Sequence, residues 1–181
     1  LSFAFLFNDS FAQVTLFGVT LPAKLGKESK LMLLNGGGVR NRYMMDVYVA
    51  GLYLRKKNSD AGSILKADEP MAVRLTIISA LLTQDRMAEA IREGFEKSTG
   101  GKTAPIKKEI DMIVKIFYAE PIKVGDVFDI WYMPGKGVTA SKNNKKYDFL
   151  IPGLKFKKYL FGIWLGEDPV DEPLKDKMLG L

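Results

Sequence analysis

The chain has 181 residues and contains neither cysteine nor histidine, and these two absences exclude many kinds of site. Without cysteine there is no disulfide framework and no thiol nucleophile. Without histidine there is no Ser-His-Asp triad, and together the two absences exclude a zinc site built from Cys and His. A general base would have to be a carboxylate, a lysine or a tyrosine, and nothing in the sequence singles one out. We therefore expect no metal, no cofactor and no identifiable catalytic residue.

Long hydrophobic runs are also missing, since no stretch reaches the roughly 20 apolar residues of a transmembrane helix. Hydrophobic residues make up 47% of the chain and charged residues 27%, which is typical of a globular protein. The length suits one domain, and there is no internal repeat or linker. We expect residues 13–181 to form a single domain.

The first twelve residues, LSFAFLFNDSFA, are apolar up to Phe7 and end in Ser10-Phe11-Ala12. This pattern resembles the end of a secretory signal, a hydrophobic segment followed by a Ser-x-Ala cleavage site. The alternative is an ordinary edge strand or a disordered terminus. We favour the signal remnant, which predicts a periplasmic or secreted protein, and the lack of cysteine fits that location.

The net charge is +6, and lysines gather in residues 142–158, where Tyr147, Phe149 and Phe156 interrupt them. Basic residues interleaved with aromatics can bind nucleic acid or an anionic membrane. They can equally form a solvated loop rim above buried aromatic rings. We favour the rim and expect no nucleic-acid partner, with peripheral contact to an anionic membrane retained as an alternative. The oligomeric state is not predicted.

The hydrophobic pattern predicts grouped strands and helices rather than a strict alternation. Strands are predicted at residues 14–21, 31–34, 43–54, 71–79 and 127–133, with a hairpin at 137–141 and 146–151. Helices are predicted at residues 61–67, 83–97, 106–118 and 154–165, with a final turn at 173–179. This grouping indicates an α+β fold with a large, mostly antiparallel sheet and helices packed on one face.

Residues 35–54 read NGGGVRNRYMMDVYVAGLYL and organise the rest of the chain. We interpret the three glycines as a turn that delivers Arg40 to the start of a buried strand, where the guanidinium holds an anionic group. The glycines match neither a Walker loop nor a dinucleotide-binding loop. The alternative for Arg40 is a structural ion pair with Asp46 or a more distant acid.

Three segments together resemble the chalcone isomerase-like family, particularly its bacterial members. They are LNGGGVR, VYVAGLYL at residues 47–54, and IPGLKFKKYLFGIWLGEDPVDEPLK at residues 151–175. The resemblance implies an open-faced β-sandwich, in which a ligand lies between the large sheet and a helical layer.

Plant chalcone isomerases use an arginine after a glycine turn, a strand threonine, a Tyr/Asn pair on a helix and a late threonine. In this chain the arginine is Arg40, the strand threonine falls on Tyr48 and the late threonine falls on Ile163. The helix pair falls near Thr83 and Ala90. Because an isoleucine side chain makes no hydrogen bonds, most of the oriented donors of the enzymes are missing, and this loss typically costs a hundredfold or more in rate.

Fatty-acid-binding members of the family carry an arginine and a tyrosine at the positions of Arg40 and Tyr48, where the pair holds the carboxylate and the acyl chain lies in an apolar tunnel. The resemblance therefore implies a non-catalytic protein that binds a fatty acid or similar amphipathic carboxylate through Arg40, Tyr48 and Thr83. Two alternatives remain open. One is an intramolecular lyase or isomerase of the chalcone isomerase type, and the other is a structural or partner-binding envelope domain with a filled pocket.

One geometric condition must hold for this site. On a single straight strand, Arg40 and Tyr48 would lie about 26 Å apart at roughly 3.3 Å per residue, too far for one carboxylate. Either a bend or bulge near residues 43–45 folds Arg40 towards Tyr48, or only one of them contacts the ligand.

Overall fold

A computed structural model describes residues 13–181, so the expected signal remnant at residues 1–12 lies outside the described residues. Seven strands form an antiparallel sheet in the order β3-β4-β5-β6-β7-β8-β9, and β1 pairs with β2 in a separate small sheet. The strands are β1 (Val14–Leu16), β2 (Val19–Leu21), β3 (Lys24–Leu25), β4 (Met32–Arg42), β5 (Met45–Leu54), β6 (Met71–Ile77), β7 (Val127–Met133), β8 (Gly137–Lys142) and β9 (Lys145–Lys146).

Five α-helices accompany the sheet, and capping residues set most of their ends. They are α1 (Ala61–Lys66), α2 (Gln84–Thr99), α3 (Lys107–Tyr118), α4 (Leu154–Leu165) and α5 (Glu172–Leu179). The side chains of Asp60, Thr83 and Asp171 cap the N-termini of α1, α2 and α5. Gly100 and Gly180 end α2 and α5 in the left-handed conformation. Among residues 13–181, no helix has the length and apolar character needed to cross a membrane.

The main sheet buries both faces, and β5 shows this most clearly. Tyr48, Ala50 and Leu52 point into a large core shared with the helices. Val49 and Tyr53 point the other way, into a smaller core that Leu21 and its neighbours close. The predicted α+β architecture, with a large antiparallel sheet and helices on one face, is confirmed. The β1–β2 hairpin on the opposite face was not predicted, because Phe17 and Gly18 take φ of 51° and 74° and split the expected strand at residues 14–21.

The glycine run is not the turn that the sequence suggested. Gly36, Gly37 and Gly38 lie inside β4, which continues from Met32 to Arg42. A Cβ on Gly36 would collide with the backbone carbonyls of Lys177 and Met178 in α5, and one on Gly38 would press on the Lys177 side chain. The glycines therefore serve close packing of α5 on the sheet rather than backbone reversal.

The basic stretch at residues 142–158 is only partly a solvated rim. Lys145 and Lys146 are exposed, whereas Lys142 and Lys157 are buried. The Lys142 Nζ lies 2.9 Å from Asp126 Oδ2 and donates to the Pro121 carbonyl at 2.8 Å. The Lys157 Nζ donates to the carbonyls of Ile64, Leu65 and Ala67 at 2.7, 3.1 and 2.8 Å, which satisfies the C-terminal end of α1.

Candidate functional site

Arg40 and Tyr48 meet because the chain reverses between them. Arg42 pairs with Met45 at the end of the β4–β5 ladder, so Tyr43 and Met44 form a two-residue turn, with φ of 52° and 63°. Arg40 and Tyr48 are direct partners across the two strands. Partners of this kind lie roughly 4.5 to 5.5 Å apart at Cα rather than the 26 Å of a straight strand. The sequence left open whether a bend or bulge near residues 43–45 folds Arg40 towards Tyr48, and the structure shows that the chain does fold back in this way.

A bulge in the same ladder sets the register of the pair. Asn41 pairs with Asp46 but Arg40 pairs with Tyr48, so Val47 has no partner of its own on β4. Val47 and Tyr48 are consecutive residues, yet both enter the core on the helix side. Tyr48 faces the helices by alternation with Ala50 and Leu52, and the bulge places Val47 on the same side beside it.

The Arg40 guanidinium already contacts a carboxylate of the chain itself. Its Nη1 lies 3.1 Å from Asp171 Oδ2 and also donates to the Asn41 carbonyl. Asp171 accepts from the Asn41 backbone N–H at 3.1 Å and, as the N-cap of α5, from the Leu174 N–H at 2.9 Å. The ion-pair partner is thus a distant acid and not Asp46, whose carboxylate accepts from the Asn41 side chain at 3.1 Å.

Tyr48 is buried, and Trp164 holds its hydroxyl group. The Trp164 indole Nε1 donates to the Tyr48 oxygen at 3.0 Å. Burial raises the pKa of Tyr48 above its ordinary value, although the Trp164 hydrogen bond and the charge of Arg40 act in the opposite direction. Because Trp164 donates to the oxygen, the hydroxyl proton of Tyr48 is available to donate to another acceptor.

Trp164 and Asp171 are the two site residues that sequence reasoning missed. Trp164 lies in the helix predicted at residues 154–165, and the sequence predicted no further role for it. The signal that could have found it is chemical, because a buried indole N–H usually needs an acceptor. Asp171 gave no such signal, since its partner Arg40 lies 131 positions away in the chain.

An apolar cavity of about 40 Å³ lies beside Arg40 and Tyr48, between the sheet and helices α2, α3 and α4. Arg40, Arg42 and Glu93 are its charged lining residues, and Arg42 Nη2 lies 3.0 Å from Glu93 Oε2. The rest of the lining is Val47, Tyr48, Leu75, Leu82, Met87, Ala90, Ile91, Ile113, Phe117, Ile130, Leu160, Ile163, Trp164 and Val170. Ile163 thus places an apolar side chain in this cavity.

Thr83 is not brought together with Arg40 and Tyr48. Its side chain is exposed at the start of α2, and its Oγ1 accepts from the Arg86 N–H at 3.3 Å. Ala90, the other position on that helix suggested by the resemblance, lines the cavity. Within residues 13–181, no group of acidic side chains is arranged to hold a metal ion.

Comparison with known proteins identifies the fold and the family. One solved structure that the chain resembles is the crystal structure of a fatty-acid binding protein from Arabidopsis thaliana. The TM-score is 0.74 at 17% sequence identity, and the match covers 93% of this chain and 96% of the other. At this identity the likeness shows a shared fold. A search of curated proteins found no match. Residues 13–180 match the family model described as chalcone isomerase-like, and the chain therefore belongs to that family.

Proposed function

We propose that this protein binds a fatty acid or a similar amphipathic carboxylate without catalysing its conversion. The observation that carries the proposal is the direct pairing of Arg40 with Tyr48 at an apolar cavity between the sheet and the helices. A guanidinium and a phenol hydroxyl together can satisfy the oxygens of one carboxylate. Each methylene that the acyl chain buries contributes about 0.8 kcal/mol.

Asp171 is central to how the head group would bind. Its carboxylate shares Nη1 of Arg40 with the Asn41 carbonyl. An incoming carboxylate either displaces this oxygen or uses the remaining donors of the guanidinium. In both cases the negative charge of Asp171 opposes a second negative charge nearby. Asp171 therefore weakens the binding of acids and selects against ligands that cannot also bury a chain.

The acyl chain requires more room than the cavity offers. Pockets for ligands of drug size are typically about 300 to 1,000 Å³, against about 40 Å³ here. We expect binding to widen the space between α2 and the sheet, beginning with Met87, whose unbranched side chain adapts its shape easily. The lining is apolar, so the widened cavity would favour a hydrocarbon chain.

The test compares palmitic acid with hexadecanol, since the two share a chain and differ in the head group. In Arg40→Gln/Asp171→Asn a neutral hydrogen-bonded pair replaces the ion pair, so no buried charge is left without a partner. We expect this variant to bind palmitic acid about ten- to hundredfold more weakly, because hydrogen bonds to charged groups contribute roughly 1.5 to 3 kcal/mol. Binding of hexadecanol should change little.

The matched variant is Asp171→Asn. Asparagine is also a good N-cap, so α5 should keep its start, while the competing charge is removed. We expect tighter binding of palmitic acid and unchanged binding of hexadecanol, measured by titration calorimetry. Equal affinities for the acid in the wild type and both variants would contradict the role of Arg40.

A structural or partner-binding domain with a filled pocket is the second candidate. The small cavity and the internal ion pair of Arg40 both favour it. Native mass spectrometry separates the two functions. A co-purified acid supports the first, and the absence of any bound acid together with no affinity for added palmitic acid supports the second.

A further inference from the structure

Several turns of the chain meet at one end of the main sheet. β4, β6 and β8 end there, and β5, β7 and β9 begin there, because neighbouring strands are antiparallel. We call this surface the turn end and define it as residues 42–45, 78–83, 118–126 and 142–146. Tyr118, the last residue of α3, joins this end to the start of α2 through a 2.6 Å hydrogen bond to Asp85.

The turn end exposes an unusual amount of apolar surface. Of the ten large hydrophobic side chains that are exposed in residues 13–181, five lie on it. They are Tyr43, Met44, Leu81, Tyr118 and Val124. Tyr43 is 79% exposed and Met44 is 95% exposed, so neither contributes much to the core. A concentration of this kind marks an interaction surface more often than chance exposure.

The backbone conformation at Tyr43 and Met44 disfavours the large side chains that these two positions carry. Both residues have positive φ, a conformation that favours Gly and Asn and penalises large side chains. The β8–β9 hairpin at the same end has the same two-residue turn, with Asn143 and Asn144 at φ of 49° and 66°. One turn thus carries residues suited to its geometry, and the other carries two large, exposed side chains, of which Tyr43 contacts the Arg42 guanidinium with its ring at 5.3 Å. A role outside the fold explains why the second turn has them.

The charge of the turn end indicates what covers it. Its five cationic side chains, Arg42, Lys123, Lys142, Lys145 and Lys146, and its two carboxylates, Glu120 and Asp126, give a net charge of +3. Arg42 also pairs with Glu93 and Glu89 of α2, so the exposed lysines carry the charge that is free to meet a partner. Lys123, Lys145 and Lys146 are exposed around the apolar residues. Apolar and aromatic side chains surrounded by lysines and arginines are complementary to an anionic lipid surface.

A groove at the turn end lies next to the cavity. It has a volume of about 150 Å³, and Tyr43 and Leu81 form part of its wall. Arg42, Val47 and Leu82 line both this groove and the cavity beside Arg40 and Tyr48. A molecule that leaves a lipid layer at Tyr43 would therefore enter the protein next to the cavity.

We propose that the turn end docks on an anionic lipid surface, with Tyr43, Met44 and Leu81 entering the head-group region and the lysines contacting lipid phosphates. The groove then serves as the route by which an acyl ligand passes between the lipid layer and the cavity. This second step rests on the function proposed above, whereas docking does not.

The test uses a variant that removes the apolar surface without harming the hairpin. Tyr43→Asn/Met44→Gly installs the residues that this turn geometry prefers, so the variant should unfold at the same or higher temperature than the wild type. We expect the wild type to co-sediment with phosphatidylcholine vesicles that contain phosphatidylglycerol and to bind pure phosphatidylcholine vesicles at least tenfold more weakly. The variant should lose at least tenfold in binding to the anionic vesicles.

Leu181→Ser is the matched control, because Leu181 is also an exposed apolar residue, at 65%. It lies away from the turn end. Its neighbour Gly180 lies near Asn35, which is seven positions before Arg42 on β4 and so towards the other end of that strand. It should bind the anionic vesicles as the wild type does. Unchanged vesicle binding by Tyr43→Asn/Met44→Gly, or no binding by the wild type, overturns docking even if palmitic acid binds tightly. Loss of binding in that variant supports docking even if palmitic acid does not bind at all. If the wild type instead self-associates through this end in the absence of lipid, the proposal is wrong.

Discussion

At the scale of single residues, the Tyr48–Trp164 hydrogen bond ties the candidate site to α4. Tyr48→Phe removes the acceptor and leaves the Trp164 N–H buried without a partner. We expect a loss of roughly 1 to 3 kcal/mol in the free energy of unfolding, measured by urea denaturation.

The double variant Tyr48→Phe/Trp164→Phe supplies the control for that loss. Because it removes donor and acceptor together, a coupling energy can be separated from the effects of the two single changes. If Tyr48→Phe unfolds at the same urea concentration as the wild type, the hydrogen bond contributes little to stability and its role is confined to orienting the hydroxyl group.

The sequence named Arg40 and Tyr48 but could not decide whether they met. Their meeting depends on a turn at Tyr43 and Met44, and these two residues carry none of the Gly, Asn or Asp signals by which such turns are predicted. The pairing of Asp171 with Arg40 could not be predicted, because the place of Asp171 two residues before Pro173 indicates a helix start but not an arginine partner. Partners distant in sequence become visible only when the fold brings α5 against β4.

At the scale of secondary-structure elements, the glycines of β4 determine how closely α5 packs. Gly36→Ala would push a methyl group into the backbone of Lys177 and Met178, which cannot move without displacing the helix. Gly38→Ala would meet side-chain atoms of Lys177 and Leu174, at 2.9 and 3.1 Å, which have more freedom.

We therefore expect Gly36→Ala to lower the free energy of unfolding by about 1 to 3 kcal/mol or more, and Gly38→Ala to have a smaller effect. Thermal unfolding of the two variants beside the wild type tests this order. A reversed order would mean that α5 shifts along the sheet to accommodate the first methyl group.

Element prediction succeeded where periodicity and breakers agreed. Helix α4 has the predicted bounds, Leu154–Leu165, because its apolar stripe lies between Gly153 and Gly166. The prediction of a turn at the three glycines was wrong, because the local pattern there has two interpretations. Three glycines permit a turn, but they also permit close approach of another element, and only the position of α5 distinguishes these uses.

At the scale of the whole molecule, buried titratable groups give stability a defined dependence on pH. Burial lowers the pKa of Lys157 from 10.5 to about 8, with Asp68 and Glu69 acting in the opposite direction. Between these two values the unfolded chain holds a proton that the folded chain has released, so stability rises with pH.

Burial raises the pKa of Tyr132 to about 12, and it also raises the pKa of Tyr48 and Tyr53. Above the ordinary tyrosine pKa of about 10, stability therefore falls as pH rises.

We expect the free energy of unfolding to increase from about pH 8 and to reach a maximum near pH 10. Urea denaturation at a series of pH values measures this curve. In Lys157→Met the rise between pH 8 and 10 should disappear, although the variant is less stable at every pH because the carbonyls at the end of α1 lose their donor. A wild-type curve that is flat across this interval would show that Lys157 keeps its proton when the chain folds.

The overall architecture was predictable because it follows from the order of strands and helices, which a single sequence displays directly. The size of the cavity was not predictable from the sequence. Its volume depends on how side chains such as Met87, Ile163 and Phe117 interlock across three helices and the sheet, and that packing is set by contacts between distant parts of the chain.

The unpaired Val47 has a consequence for the evolution of this hairpin. Tyr48 faces α4 by alternation with Ala50 and Leu52, so deleting Val47 would make the ladder regular and leave the phenol opposite Arg40. The deletion would instead remove one apolar side chain from the walls of both the cavity and the groove. Members of the family without this extra residue should therefore still pair the arginine with the tyrosine, beside a wider cavity.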